Sequence, residues 1–420
     1  MADLASQQLA ALNRLIGAIA PTNRFYRGKL AAAEGLGGFE SLDLFRARMP
    51  FTTKDELARD QAEHPPYGTT QTYPLAQYVR FHQTSGTSGR ALAWLDDAAS
   101  WQWVLENWKV VWRQAGATPG DAAFFAFSFG PFLGFWAAFD SAVQLGVRAI
   151  PAGGLSSAER LRFLLAQQPR LLCCTPTYAL RLAEVARAEG LELARSGVKR
   201  ILVAGEPGGS VPAVRARIES EWSGAVVVDH HGMTEIGPVS YGVPGEPDRL
   251  RLMHGSYLCE VLEPGGEMPV APGGTGELVL TTLGRVACPL LRYRTGDLVR
   301  PEVLPATPAE EFALRGGILG RVDDMVIVRG VNLYPSSMDA AIRTVPGIAE
   351  YQVEIDRRAT LPEVRVRCEA TEGAADPAPA LTRHLAATFQ MRIAVERVPA
   401  GTLPRSEFKA RRWKVLPGPC

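Results

Sequence analysis

The chain lacks most of the features that would assign it at a glance. Its six cysteines, Cys173, Cys174, Cys259, Cys288, Cys368 and Cys420, form no C-x-x-C pair and no regular framework, so reduced thiols are expected rather than disulfides. Cys173 and Cys174 fall in the apolar run Leu171-Leu172-Cys173-Cys174, which reads as a buried strand end. Neither sign of charge is in excess: the formal net charge is +1, so no global field draws nucleic acid or anionic lipid, and any polyanion must be held locally. No apolar run reaches the length of a membrane span, and Met1-Ala2-Asp3-Leu4 lacks the basic-then-apolar layout of a signal peptide; the cytosol is the expected compartment. There is no Walker A loop and no internal repeat.

What the chain does have is length and alternation. Its 420 residues, 46% of them hydrophobic, suffice for two or three ordinary globular domains. The run Thr84-Ser85-Gly86-Thr87-Ser88-Gly89-Arg90 follows the strand-like Tyr78-Val79-Arg80-Phe81 and precedes a helical stretch expected from near Asp96. Glycines there let backbone N–H groups turn toward an anion, hydroxyls add donors and Arg90 adds charge; a loop that holds no nucleotide is the alternative.

From Ala122 to Val228 short apolar runs (Ala122 to Phe127, Val147 to Pro151, Leu171 to Cys174, Arg200 to Ala204, Ala225 to Val228) interleave with amphipathic stretches, which predicts a mostly parallel sheet covered by helices on both faces. Ligands of such sheets collect at the carboxyl ends of the strands. Two loops there carry polar residues: Ala204-Gly205-Glu206-Pro207 and Asp229-His230-His231-Gly232-Met233-Thr234-Glu235. Residues 250–300 turn β in character, 301–315 are expected to loop outward, and the remainder beyond Gly320-Arg321-Val322-Asp323-Asp324 fits a compact α+β domain.

In order, TSGTSGR, AGEP, HHGMTE, YRTGD, GRVDD with the following VRG, and PRSEFKA resemble the adenylate-forming superfamily of acyl-CoA synthetases and adenylation domains. FYR, PFTTK and FHQTSGTSG resemble its phenylacetate-CoA ligase branch. The resemblance spans nearly the whole chain and implies an α/β fold: a large N-terminal region (1–321) of mostly parallel sheets flanked by helices with a small β subdomain at about 250–300, then a small, mobile α+β C-terminal domain (322–420). It also implies a two-step reaction. A carboxylate attacks the α-phosphorus of ATP, giving an acyl adenylate and pyrophosphate; a thiol then displaces AMP. AMP leaves readily where oxide would not.

By this resemblance Thr84 to Arg90 embrace the β- and γ-phosphates, with Arg90 where the family usually has lysine. Gly205, Glu206 and Pro207 line the adenine, and Asp229, His230, His231, Gly232 and Met233 flank the nucleotide. Thr234 touches the α-phosphate, Glu235 ligates Mg²⁺, Asp297 accepts from the ribose hydroxyls and Arg321 contacts the ribose region. Lys409 matches the lysine that enters the site during adenylation, although Phe408 replaces the usual glycine beside it. Asp323 matches the hinge about which the small domain rotates, and Gly330 would then line the channel for coenzyme A. His231 stands where many relatives carry tyrosine. His230, His231, His254 and Cys259 match no zinc-finger spacing. Taken alone, Asp297 and Arg321 would read as an ordinary ion pair, and Lys409 as one solvated cation among several.

The acid is expected to sit among Phe129, Phe132, Phe135, Trp136, His230, Gly232, Ile236 and Gly237, which suits a flat aryl or arylacetic acid; core packing explains the same aromatics equally well. Coenzyme A or a carrier-protein thiol is the acceptor, neither nucleic acid nor membrane is a partner, and homodimers are common among relatives. A non-catalytic nucleotide-binding module is the remaining alternative.

Overall fold

The computed structural model describes residues 3–84, 91–304, 311–324, 326–328, 331–356, 363–405 and 412–416. Four helices open the chain: α1 (Leu4–Ile19), α2 (Arg24–Ala32), α3 (Leu42–Arg48) and α4 (Lys54–Glu63). Each begins behind a side chain that accepts an otherwise unpaired backbone N–H of the first turn: Asp3, Asn23, Ser41 and Thr53. The three- and four-residue spacing of Leu12, Leu15, Ile16 and Ile19 puts them on the buried face of α1.

The passage from the glycine-rich loop differs from expectation. The described strands on either side of it, β1 (Tyr78–Gln83) and β2 (Ala93–Asp97), are antiparallel, with Phe81 opposite Leu95 and His82 opposite Trp94. Only then does α5 (Ala98–Gln114) begin, capped by Asp97, which accepts from Ser100 N–H. Ala93-Trp94-Leu95 is too short an apolar run to reveal its own period.

The alternating region follows as β3 (Ala122–Phe125), α6 (Leu133–Gln144), β4 (Arg148–Pro151), α7 (Ser157–Gln167), β5 (Leu171–Cys174), α8 (Pro176–Ala188), β6 (Arg200–Val203), α9 (Pro212–Glu221) and β7 (Val226–Met233). A reciprocal Ser156–Glu159 capping box opens α7, and Thr175 with Pro176 opens α8. β4, β3, β5, β6 and β7 pair in parallel. Neighbouring residues divide between two cores: Phe125 and Leu171 pack on one face, Phe124 and Leu172 on the other.

Past β7 the same sheet turns antiparallel through β8 (Gly237–Val243) and β9 (Glu246–Leu252). Thus Asp229 to Met233, expected in a loop, lie in β7, and Leu250 belongs to the large sheet rather than to the β subdomain. The antiparallel set β10 (Tyr257–Leu262), β11 (Gly276–Thr282) and β12 (Tyr293–Val299) forms a separate sheet. The outward loop expected over 301–315 is also corrected: β13 (Pro301–Val303) and β14 (Phe312–Arg315) extend the large sheet to nine strands, in the order β13-β14-β9-β8-β7-β6-β5-β3-β4. Ala313 and Leu314 are buried there, and Pro301 is tolerated because β13 is an edge.

β15 (Gly320–Arg321) completes the four-stranded sheet beside β12, with Arg321 opposite Asp297. The chain then builds a small α+β unit: the hairpin β16 (Val326–Val328) and β17 (Val331–Leu333), α10 (Pro335–Thr344), β18 (Ile348–Asp356), β19 (Glu363–Ala370), α11 (Ala378–Phe389), β20 (Ala394–Val398) and β21 (Trp413–Leu416). Its sheet, β20-β19-β18-β21, has its own core, including Val353, Val366, Leu381 and Leu385.

Candidate active site

A cavity of about 580 Å³ opens at the carboxyl ends of β5, β6 and β7 and reaches residues of the C-terminal unit. The described residues singled out for the nucleotide, the metal and the hinge line it, together with Gly237: Thr84, Gly205, Glu206, Pro207, Asp229, His230, His231, Gly232, Met233, Thr234, Glu235, Asp297, Arg321 and Asp323. Ser85, Gly86, Thr87, Ser88, Gly89, Arg90, Gly330 and Lys409 lie outside the described residues.

On one side the cavity is built around Asp297. Its Oδ1 accepts from Arg321 Nη1 at 3.0 Å and its Oδ2 from His231 Nε2 at 3.0 Å, so the carboxylate fixes the proton of His231 on Nε2. The preceding Gly296 adopts φ +75°, and a Cβ there would come within 2.8 Å of Arg321 Nη2; glycine is required for the close approach. Arg321 also reaches Asp323 Oδ2 at 3.4 Å, and thereby links the end of β15 to the segment leading into the C-terminal unit.

Asp229 sits opposite Val203 in the sheet, beside Gly209 and Ser210. Its Oδ2 accepts from Ser210 Oγ at 2.6 Å and its Oδ1 from His230 N–H at 3.0 Å, while a Cβ on Gly209 would fall 2.4 Å from its carboxyl carbon. Burial pushes its pKa up to about 6, against the pull of the Ser210 and His230 hydrogen bonds. Glu206 Oε1 accepts from Thr177 N–H at 2.8 Å, in the first turn of α8, where a carboxylate is favoured.

The turn between β7 and β8 carries Thr234 and Glu235. Tyr293 Oη donates to Glu235 Oε1 at 3.0 Å; burial, then the Glu235 charge, holds the tyrosine far above its ordinary pKa and so keeps it a donor. Glu235 Oε2 has no hydrogen-bond partner among the described residues. A buried carboxylate oriented through one oxygen and open at the other suits a hard oxygen-seeking cation such as Mg²⁺. The Thr234 carbonyl accepts from Arg285 Nη1 at 2.9 Å, and Arg285 is paired with Asp96 through two 2.6 Å bonds, both side chains fully buried.

The opposite wall is aromatic. Phe132 and Phe135 line it as expected, and Phe127 stacks on Phe135 with ring centroids 3.5 Å apart. Three expected residues do not. Phe129 packs among Phe125, Phe127 and Phe139, Ile236 is wholly buried in the core, and Trp136 lies at the surface with Nε1 donating to the Gly130 carbonyl. Helical spacing could not separate cavity-facing aromatics from these neighbours. Trp108 of α5, missed in the sequence, lines the cavity with its ring 4.3 Å from that of His230. Nothing local marks it among the other tryptophans of α5. Tyr293 and Arg285 were missed too; Tyr293 could have been singled out as the second residue before Thr295-Gly296-Asp297.

Asp339, Arg343, Tyr351 and Arg412 of the C-terminal unit close the far side. Arg412 pairs with Glu350 through bonds of 2.6 and 3.2 Å, and its Nη1 approaches Thr177 Oγ1 at 3.4 Å.

Cavity, fold and C-terminal cover define an α/β protein whose cavity is lined by residues of both the large region and the C-terminal unit. Residues 67–284 match the family model for the AMP-binding enzyme, and residues 330–414 that for the AMP-binding enzyme C-terminal domain. The phenylacetate-coenzyme A ligase of Thermus thermophilus is 32% identical over 368 residues, 86% of this chain and 80% of that protein. The Escherichia coli protein of the same name is 31% identical over 404 residues, 92% and 89% of the two chains. This chain therefore belongs to the AMP-binding enzymes, and within them to the phenylacetate-CoA ligase family. Among solved structures, a 2-hydroxyisobutyryl-CoA ligase in the postadenylation state with 2-HIB-AMP is 31% identical and superposes with a TM-score of 0.89, covering 97% of this chain and 89% of that one. The same ligase with 2-HIB-AMP and CoA in the thioesterification state gives 0.71 over 98% and 89%. At equal identity, this chain therefore superposes better on that ligase's postadenylation structure than on its thioesterification structure.

Proposed function

We propose that the protein is an AMP-forming ligase that joins an aryl or arylacetic acid to coenzyme A. The observation that carries this reading is the convergence of Glu235, Asp297 and the Gly205-Glu206-Pro207 turn on one cavity whose other wall is aromatic. In the first step a carboxylate oxygen bonds to the α-phosphorus of ATP and the bond to pyrophosphate breaks. In the second the thiol sulfur of coenzyme A bonds to the acyl carbon, AMP leaves with the electron pair, and the thiol proton passes to solvent.

The chain's own groups have separable tasks in this reading. Asp297 holds the ribose hydroxyls, and His231 and Arg321 keep its carboxylate in place; the 205–207 turn faces the adenine. Thr234 donates to the α-phosphate, while Thr84 and the run to Arg90 hold the departing phosphates. Glu235 would hold Mg²⁺, which would supply positive charge against the phosphate oxygens. Lys409 balances charge during adenylation. We further infer that residues 1–321 and 322–420 act as the two moving bodies, with Asp323 as the hinge, and that the enzyme works in the cytosol. Among the described residues, no helix is long and apolar enough to cross a membrane.

The test is pyrophosphate release over a panel of aryl, arylacetic, fatty and amino acids, followed by thioester formation with coenzyme A or a phosphopantetheinylated carrier protein as acceptor. Aryl or arylacetic acids should release pyrophosphate and coenzyme A should accept the acyl group. Carrier-only transfer would replace the acceptor, and no release with any acid would overturn the reading. Gel filtration distinguishes a monomer from a homodimer.

A further inference from the structure

We propose that the acid activated carries a hydrogen-bond donor, a hydroxyl or an amino group, on its acyl body, and that His230 Nε2 recognises it. This rests on the adenylation reading above and adds the substrate class to it.

Successive residues of β7 point to opposite faces, and His231 and His230 divide accordingly. His231 meets Asp297, on the side read as the nucleotide's, whereas His230 lies against Trp108 on the aromatic side. His230 is only 5% exposed and lines the cavity. Its Nδ1 lies 2.6 Å from the carbonyl oxygen of Ser240 on the adjoining strand β8, one residue before Tyr241, its own partner in the ladder. A carbonyl only accepts, so Nδ1 carries the proton. Burial, then the neighbouring His231, depresses the ring's pKa to about 3, despite the Ser240 bond. The imidazole is therefore neutral, and Nε2 presents a bare lone pair with no partner among the described residues.

The surroundings make that lone pair decisive. Trp108, Phe127, Leu133, Phe135 and Ala138 line the same wall, and among them only the tryptophan carries a polar side-chain atom, itself a donor. An acid with no donor at this point would bury the lone pair unpaired, and a site with an unpaired buried acceptor discriminates strongly against the analogue that leaves it so. A carboxylate or other anionic substituent gains nothing from a neutral acceptor, so the added group is a donor rather than a second acid.

The experiment compares kcat/KM for pyrophosphate release among benzoate, phenylacetate, their ring-hydroxylated and ring-aminated derivatives, and the corresponding methyl derivatives as size controls. At least one hydroxy or amino isomer should exceed both its parent and its methyl counterpart by roughly tenfold or more, the cost of one unpaired buried group; the two series separate a hydroxyl from an amino substrate. In His230→Leu that ratio should collapse toward one, and His230→Gln, which retains an acceptor, should recover part of it. The ratio is internal to each protein, so a poorly folded variant does not mask it, and the unsubstituted protein alone decides the first part. Equal use of donor-bearing and methyl acids, or a ratio that survives in His230→Leu, overturns the assignment while leaving adenylation intact. If no acid releases pyrophosphate, the adenylation reading fails and this proposal fails with it.

Discussion

Arg321 and His231 hold opposite oxygens of Asp297, each at 3.0 Å, from two different sheets. A ribose diol that binds here must share or replace these bonds, and a carboxylate has lone pairs enough for both sets. Asp297→Asn puts an NH₂ donor against donors already in place. We expect kcat/KM for ATP in acid-dependent ATP/pyrophosphate exchange to fall by about 100-fold, the equivalent of one or two charged hydrogen bonds. An unchanged KM and kcat for ATP would remove Asp297 from nucleotide binding.

The Asp96–Arg285 pair offers a stability test. Both side chains are fully buried, and Arg285 also supports the Thr234 carbonyl. Arg285→Met leaves an unpaired buried carboxylate and should cost about 3–5 kcal/mol in chemical denaturation, whereas replacing both partners by apolar residues should recover much of that loss. A double variant as unstable as the single one would show that the loss is of packing rather than charge.

The sequence made the site's polar parts legible because phosphate and ribose chemistry demands glycines, hydroxyls and carboxylates in fixed order. Gly296 beside Asp297 and Gly209 beneath Asp229 mark backbone approaches that other residues would block. The aromatic wall was less legible. Phe135 and Trp136 are adjacent on α6, yet one faces the cavity and the other solvent, and only the packing of α6 against the sheet decides which. Strands β13 and β14 were hidden because a proline and a polar linker obscure the short apolar Phe312-Ala313-Leu314. Tertiary pairing with β9 makes that run a strand.

Asp229 predicts a pH dependence of stability. Its folded pKa, pushed up to about 6, lies above the ordinary 3.8, so the folded state binds the proton more tightly. The stabilisation is fully present below 3.8 and is lost as pH rises through about 6. The gap corresponds to about 3 kcal/mol. Relative to Asp229→Asn, the unsubstituted protein should therefore lose about 2 kcal/mol of stability between pH 4 and 7, measured by urea denaturation. His230, whose depressed pKa works in the opposite direction, is common to both proteins. A difference that is flat with pH would mean that Asp229 is solvated in the folded protein.

Among the described residues, polar contacts link the C-terminal unit to the rest of the chain, as the proposed domain rotation would require. Arg217 of α9 donates to the Ile348 carbonyl of β18 at 3.1 Å, Arg405 approaches Glu184 at 3.8 Å and Arg412 approaches Thr177 at 3.4 Å. Burial, then repulsion from Arg343, lowers the pKa of Arg217, so its hydrogen bond to Ile348 across the units is made against an opposing desolvation cost. Each such bond contributes roughly 0.5–1.5 kcal/mol, enough to shift a two-state arrangement by up to about tenfold. Arg217→Ala should therefore lower the population of the postadenylation arrangement, read as a change in transfer efficiency between dyes on the two units. If that arrangement serves the first half-reaction, acid-dependent exchange should slow by a few-fold while thioester formation from preformed acyl adenylate does not. Equal slowing of both half-reactions would point instead to a general loss of structure, and no change in either would mean that packing elsewhere sets the arrangement.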